Sequence, residues 1–388
     1  MDYFQKALEL HKKYKGKLEV KSKIEVSTKD DLSTAYSPGV AQPCLEINKN
    51  REDAYIYTNK GNAVAVVSNG TAVLGLGNIG AQASMPVMEG KCILFKNFAN
   101  VDAYPILVDS EEADDVVKAV KLIAPGFGGI NLEDISAPSC FEIEKRLKQE
   151  LDIPVFHDDQ HGSGIVVLSG LINSLKLAGK KIEDCKIVFN GAGAAGMATS
   201  RLLVRMGARN VIIVDTKGAI YKGRDNLNGA KRDISLMTNP NSEKGSIHDI
   251  INGADIFIGL SKGNLLTAED IRKMNSKAIV FALANPVPEI SPEEAKKGGA
   301  FIVATGRSDF PNQINNVSAF PGVFRGALDV RAKDINDKMN IAAARALAAY
   351  VKSPTTESIV ASPLDKNTAK VVAEAVSKAA RESGVARV

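Results

Sequence analysis

Glu133 and Asp134 stand together in NLEDISAP, and Asp158 and Asp159 stand together in FHDDQHGSG. Hard divalent cations such as Mg2+ and Mn2+ take several oxygen ligands. Three carboxylates delivered by these two segments would form an octahedral site with room for substrate oxygens and water. A plainer reading also exists, because acids are common in turns and at helix N-termini, where the dipole favours them. His157 and His161 are spaced by four, which invites zinc. That site would need a helix through both histidines; Gly162 and Gly164 argue against one, and the third nearby ligand of a zinc centre is missing.

The pattern GxGxxG occurs twice, at Gly75, Gly77 and Gly80 and at Gly191, Gly193 and Gly196. The motif alone is weak, and its surroundings decide. The second copy (Gly191, Ala192, Gly193, Ala194, Ala195, Gly196) follows the strand-like KIVFN and opens an apolar helix that returns to VIIVD, with Asp215 24 residues after Gly191. This is the dinucleotide fingerprint: a tight turn, close backbone approach to a pyrophosphate, and a helix N-terminus facing the phosphates. The alternative is a glycine-rich helix start with no ligand. Asp215 is placed for the adenine ribose hydroxyls and disfavours a 2′-phosphate. Lys217, two residues on, would attract that phosphate or is an ordinary exposed lysine. NAD and NADP both stay open. The run after the first copy, KCILFKNF, lacks a terminal acid, so that loop is expected to bring backbone against another element.

Such groups need rigid elements to hold them. AYIYT, AVAVVS and TAVLGL read as strands, the last two joined by an Asn69-Gly70 hairpin turn. KCILF, AYPILVD and IPVFH read as further strands. EEADDVVKAVKLI carries Val116, Val117, Val120 and Ile123 at helical spacing, CFEIEKRLKQEL reads as another helix, and GIVVLSGLINSLKLAG as a buried one. ADIFIGLS, AIVFALAN and AFIVATG are β-branched runs separated by helix-length segments, which predicts a parallel sheet with crossovers. RSDFPNQINNVSAFPGVF reads as loop, followed by two helices at about 332–351 and 366–384. At the N-terminus, Phe4, Ala7, Leu8 and Tyr14 suit a short amphipathic helix.

Composition limits what these elements serve. The 388 residues carry a formal charge of only +4, with 45% hydrophobic and 24% charged residues. That balance gives no electrostatic case for nucleic acid and suits a folded α/β protein of two domains, with 316–388 packing back on the first. Cys44, Cys92, Cys140 and Cys185 are too far apart for a CxxC motif, and are read as small hydrophobes in a reducing, cytoplasmic compartment. No secretory signal and no membrane-spanning run is expected.

An ordered set of motifs covers nearly the whole chain: TAYSPGVAQPC, VLGLGNIG, PVMEGKCILFK, NLEDISAPSCFEIE, IPVFHDDQHG, GAGAAGMA, FALANPVPE and FPNQINNVSAFPGVFRGALD. Together they resemble the malic enzymes of the short bacterial and archaeal type. The resemblance implies that Tyr36 is the general acid, Lys91 the general base, and Glu133, Asp134 and Asp159 the metal ligands. It implies that Asp158 supports the lysine, and that Asn285 and Asn316 contact a substrate carboxylate. The longer animal enzymes place an arginine just before LGLG; here that place is Ala72, so the loop lacks its cation. Short members typically form homodimers, in which Tyr36 is a candidate to reach the partner's site. The length leaves no room for the acetyl-phosphate-type domain fused to some longer relatives.

The activity so implied is oxidative decarboxylation of (S)-malate to pyruvate and CO2, with reduction of NAD or NADP and with Mg2+ or Mn2+. Its base must start neutral, and a free lysine titrates near ~10.4, so burial or a nearby metal must lower Lys91 while Asp158 pulls the other way. A metal-independent amino-acid dehydrogenase and a catalytically silent NAD(P)-binding regulator are the alternatives. The expected plan is a catalytic α/β domain over 1–158, a Rossmann-type domain over 159–315 and a helical segment over 316–388, with the active site in the cleft.

Overall fold

The computed structural model describes residues 3–388. Two parallel sheets organise the chain. The first contains β1 (Ala63–Ser68), β2 (Asp102–Leu107), β3 (Gly129–Leu132) and β4 (Val155–His157), in the order β2-β1-β3-β4. All its pairs are parallel, with Ala63 opposite Asp102, Val64 opposite Gly129 and Ile130 opposite Val155. Alternation along β1 sends Val64 and Val66 into one core and Ala65 and Val67 into another. Both faces are covered, as a parallel sheet requires.

The second sheet contains β5 (Lys186–Asn190), β6 (Asn210–Asp215), β7 (Gly218–Ala219), β8 (Ile256–Gly259), β9 (Ile279–Ala282) and β10 (Ile302–Thr305), in the order β10-β9-β8-β5-β6-β7. Only the short β7 is antiparallel to its neighbour. β5 lies between β6 and β8, so strand order reverses there, and the crevice beyond its carboxyl end is where such sheets take ligands. The helix Asp158–Ala178 starts directly after β4 and joins the two sheets. Its buried face shares one continuous hydrophobic core with β1, β5, the helix Ala81–Ala99 and the C-terminal helices Phe320–Asp329, Asp337–Tyr350 and Asn367–Glu382.

Several expected elements are corrected. AYIYT is not a strand; Ala54–Tyr57 is one helical turn. TAVLGL does not return along β1, because both edges of β1 are taken by the parallel β2 and β3. The Asn69-Gly70 turn exists, but it folds the chain back so that a Cβ on Gly70 would lie 2.1 Å from the Gly80 carbonyl oxygen. KCILF lies inside the helix Ala81–Ala99, whose buried face is built from Met88, Lys91, Cys92 and Phe95 at helical spacing. A five-residue apolar run fits either element, and here the longer period wins. The expected loop after Gly306 ends at the helix Phe320–Asp329, which has Pro321 in its first turn. The helix Asp158–Ala178 runs through Gly162 and Gly164, which had argued against it.

Among the described residues no helix is long and apolar enough to cross a membrane. All four cysteines are free; Cys44 is exposed and the other three are buried.

Candidate active site

The carboxyl ends of β3 and β4 deliver the acids. Glu133 and Asp134 follow β3 directly, and Asp158 and Asp159 form the first turn of the helix after β4. Since β3 and β4 are parallel neighbours, both pairs emerge at one edge. Glu133, Asp134 and Asp159 offer ligand oxygens that all lie within 4.8 Å of one another. The backbone N–H of Asp134 donates to Asp159 Oδ2 at 2.9 Å, and Asn131 Nδ2 donates to Glu133 Oε2 at 2.9 Å. Asp134 Oδ2 is buried with no hydrogen-bond partner.

Burial, and then neighbouring carboxylates, push Asp134 up to about 8 and Glu133 up to about 7; Asp159 is pushed up to about 6. Burial is also the leading cause for Glu133 and Asp159, against which the Lys91 charge works. Crowded carboxylates with an orphaned oxygen fit a hard divalent cation, the donor set that Mg2+ and Mn2+ prefer. The histidines do not make a zinc site. His161 Nε2 pairs with Glu144 Oε1 at 2.7 Å, while the ring of His157, the residue before the helix, is fully buried without a hydrogen bond.

Lys91 comes from the middle of the helix Ala81–Ala99 and is buried. Its Nζ lies 2.6 Å from Asp158 Oδ2 and 2.8 Å from Glu133 Oε1, and 4.3 Å from the Phe320 ring centroid. Burial alone would lower the ammonium, but Asp158 and then Glu133 outweigh it and hold the group above its ordinary value. The expectation of a lowered lysine is therefore reversed. Asp158 itself is raised to about 7, chiefly by burial. Its Oδ2 also accepts from Asn316 Nδ2 at 2.6 Å. Gly162 makes room for this carboxylate: a Cβ there would sit 1.8 Å from Asp158 Oδ1.

A cavity of about 840 Å3 opens over these groups. It is lined by Lys91, Glu133, Asp134 and Asp159 on one side, and by Ala195, Asn285 and Asn316 as well. The loop of the first GxGxxG copy also reaches it, with Gly75 so close that a Cβ would meet the Asn285 carbonyl oxygen at 2.8 Å. That is the backbone approach expected for this loop. In the second copy, a Cβ on Gly191 would lie 2.6 Å from the Leu260 carbonyl oxygen, and one on Gly196 would lie 2.0 Å from that of Gly191. Gly193, by contrast, faces open space at the start of the helix Ala194–Arg205, which suits a pyrophosphate.

Two expected residues stand apart. Tyr36 is 69% exposed and does not line the cavity of its own chain. Asp215 ends β6 as expected, but its carboxylate is already engaged. Oδ1 accepts from Arg224 Nη1 and the Lys217 backbone N–H, each at 2.9 Å; Oδ2 accepts from Arg224 Nη2 at 2.6 Å and Lys231 Nζ at 2.7 Å. With its charge neutralised, Asp215 no longer argues for NAD over NADP. Sequence reasoning missed Asn131, although its place two residues before Glu133 puts both on one face of the extended chain. It also missed Phe320, which no local pattern marks as a neighbour of Lys91.

A parallel-sheet dinucleotide lobe closing on an acidic pocket with a buried lysine defines an α/β oxidoreductase fold. Residues 15–148 match the family model for the malic enzyme N-terminal domain, and residues 160–381 match that for the malic enzyme NAD binding domain. The chain belongs to the malic enzyme family. It is 55% identical to the bifunctional malic/malolactic enzyme of Bacillus subtilis (strain 168) over 391 residues, covering 100% of this chain and 95% of that one. It is 54% identical to the NAD-dependent malic enzyme of Geobacillus stearothermophilus, over 96% of this chain and 78% of the other. The crystal structure of the malic enzyme from Pyrococcus horikoshii superposes with a TM-score of 0.95 at 48% identity, over 99% of this chain and 92% of that chain.

Proposed function

We propose that the protein oxidatively decarboxylates (S)-malate to pyruvate and CO2, reducing NAD or NADP. The observation that carries this reading is the contact of the Lys91–Asp158 pair with the carboxylate cluster in one cleft beneath the nucleotide loop. Glu133, Asp134 and Asp159 would hold Mg2+ or Mn2+, which when bound supplies Lewis-acid polarisation of substrate oxygens, while the nicotinamide provides the hydride acceptor. Lys91, held as an ammonium, takes the proton of the C2 hydroxyl only as it passes one of its own to the Asp158 carboxylate. Because its ammonium is held by Asp158 at 2.6 Å, the two groups accept and pass that proton as a unit rather than separately. Asn316 steadies Asp158 and, with Asn285, orients a substrate carboxylate. Tyr36 delivers a proton to carbon 3 after CO2 departs. The segment Gly191, Ala192, Gly193, Ala194, Ala195 and Gly196 receives the pyrophosphate, and Asp215 marks the adenosine end.

The assembly we infer is a homodimer. The helices Tyr3–Tyr14, Lys29–Ala35, Ala41–Lys49 and Ala54–Tyr57 contain no buried residue. Leu8, Val20, Leu45 and Ile56 face outward along this segment, apolar side chains that a second copy would cover. A second copy covering it would bring Tyr36 to a cleft other than its own. The division at 158/159 and 315/316 is kept as the domain plan; packing of Phe320–Asp329 on Ala81–Ala99 supports it. Free cysteines and the lack of a spanning helix among the described residues support a cytoplasmic location.

The test is initial rates at 340 nm with malate, each coenzyme, and Mg2+ or Mn2+, with and without chelator, on wild type and Lys91→Ala. Malate-dependent reduction that chelator and Lys91→Ala both abolish is the expected result. No reduction with either coenzyme, or activity that survives chelation, refutes the reading; the second outcome favours a metal-independent dehydrogenase.

A further inference from the structure

A cation held by Glu133, Asp134 and Asp159 would offset the charge of only one of the substrate's two carboxylates, and Asn285 and Asn316 offer hydrogen bonds without charge. Ala72, which lines the cavity, provides no charge for the other. Lys91 is committed to Asp158 and Glu133. Among the described residues lining the cavity, the remaining basic side chains are Lys17 and His11, both from the N-terminal arm.

Lys17 is held there by a dedicated hook. Gly16 adopts φ +104°, and a Cβ on it would lie 2.8 Å from Glu89 Oε1. That turn lets the Lys17 backbone N–H donate to Glu89 Oε2 at 3.0 Å, pinning the arm to the helix that carries Lys91. The Lys17 side chain then lies along the same helix, where its Nζ donates to the Pro86 carbonyl oxygen at 2.6 Å. It passes 3.6 Å from where a Cβ on Gly90 would stand, next to Lys91 in the chain. An ammonium has three donors; one is used, and Nζ forms no ion pair among the described residues. The Glu89 carboxylate accepts from the Lys17 backbone and stands near its ammonium without a hydrogen bond to it, so two of the Nζ donors stay open toward the cavity.

We propose that Lys17 binds the substrate carboxylate farthest from the metal, C4 of malate, and so selects a dicarboxylate. This rests on the activity proposed above. C4 is the carboxyl group lost as CO2, so pyruvate lacks the group that Lys17 recognises.

The experiment compares wild type, Lys17→Gln, Lys17→Met and Lys17→Arg for KM(malate), kcat, KM(coenzyme), inhibition by pyruvate and melting temperature. Losing a hydrogen bond to a charged group raises KM(malate) by about 10- to 100-fold in Gln and Met, and Arg recovers most of it. Pyruvate inhibition and KM(coenzyme) stay at the wild-type level. The proposal is overturned if KM(malate) is unchanged, if pyruvate inhibition weakens in parallel with malate binding, or if only the melting temperature falls, which would make Lys17 a structural stitch. Absence of malate turnover in wild type refutes the activity reading itself, a separate outcome.

Discussion

Replacing Asp134 by Asn should stabilise the empty protein and abolish its response to metal. Glu133, Asp134 and Asp159 place oxygens within 4.8 Å of one another. At that distance two unit charges repel by roughly 3 kcal/mol at an effective dielectric of about 20. Asp134 faces two such neighbours, and burial together with those neighbours pushes its carboxyl up to about 8. Near pH 8 it is therefore half neutral, and removing its charge relieves roughly 3 kcal/mol in all. Asn tolerates the left-handed backbone that Asp134 holds at φ +52°, so the turn survives. In EDTA at pH 8 the variant should melt higher than wild type, by about 1 °C per kcal/mol for a chain of this size. With Mn2+ at a hundred times its Kd, wild type gains about 2.7 kcal/mol, and the variant gains nothing and turns over no malate. Calorimetry with and without Mn2+ checks both halves. A variant that melts lower in EDTA, or that Mn2+ stabilises as much as wild type, would show that the acids are not a cation site.

Gly162→Ala should lower kcat by at least about 100-fold and lower the melting temperature as well, because a Cβ 1.8 Å from Asp158 Oδ1 forces that buried carboxylate off Lys91 and Asn316; activity within twofold of wild type would refute this. Glu144 is buried, which alone would raise its carboxyl, yet His161 and Lys148 outweigh burial and hold it at about 2. Its stabilisation, about 3 kcal/mol, is fully present above the ordinary value of 4.5 and is lost as pH falls toward about 2. Denaturant melts should therefore show Glu144→Gln less stable than wild type at pH 7, with the gap narrowing below pH 4.5 and vanishing only near pH 2; a gap as large at pH 3 as at pH 7 would count against the pairing. Lys231→Ala removes the more exposed of the two cations bonded to Asp215. It should raise KM for NADP by about tenfold while leaving NAD nearly unchanged, and equal effects on both coenzymes would place Lys231 away from the ribose.

The nucleotide unit was readable from residues alone because all of its parts are local. KIVFN, GAGAAG and VIIVD lie in one short stretch, and each glycine sits where backbone leaves no space for a Cβ or where open space faces the helix start. The helices with clear apolar periods, Ala113–Ile123 and Asn367–Glu382, were equally legible. The runs wrongly read as strands all lie before Ala99, where short apolar stretches fit strand or helix alike and where β1 finds its partners far along the chain.

Residue types supplied the acids, the lysine and the asparagines, and the order of motifs supplied their family. Tertiary structure alone decided which of them meet. Parallel pairing of β3 with β4 joins acids that are 25 residues apart, and packing of Phe320 against Lys91 closes the site from the far end of the chain. It alone set the charge state, because a lysine's proton affinity depends on which carboxylates reach it and how much water is left. The same is true of Asp215, whose neutralising cations come from two later turns, and of Lys17, a plain lysine in sequence that a left-handed glycine hooks over the cleft. Periodicity and local motifs act over a few residues; electrostatics and burial act through space, and only the folded chain defines that space.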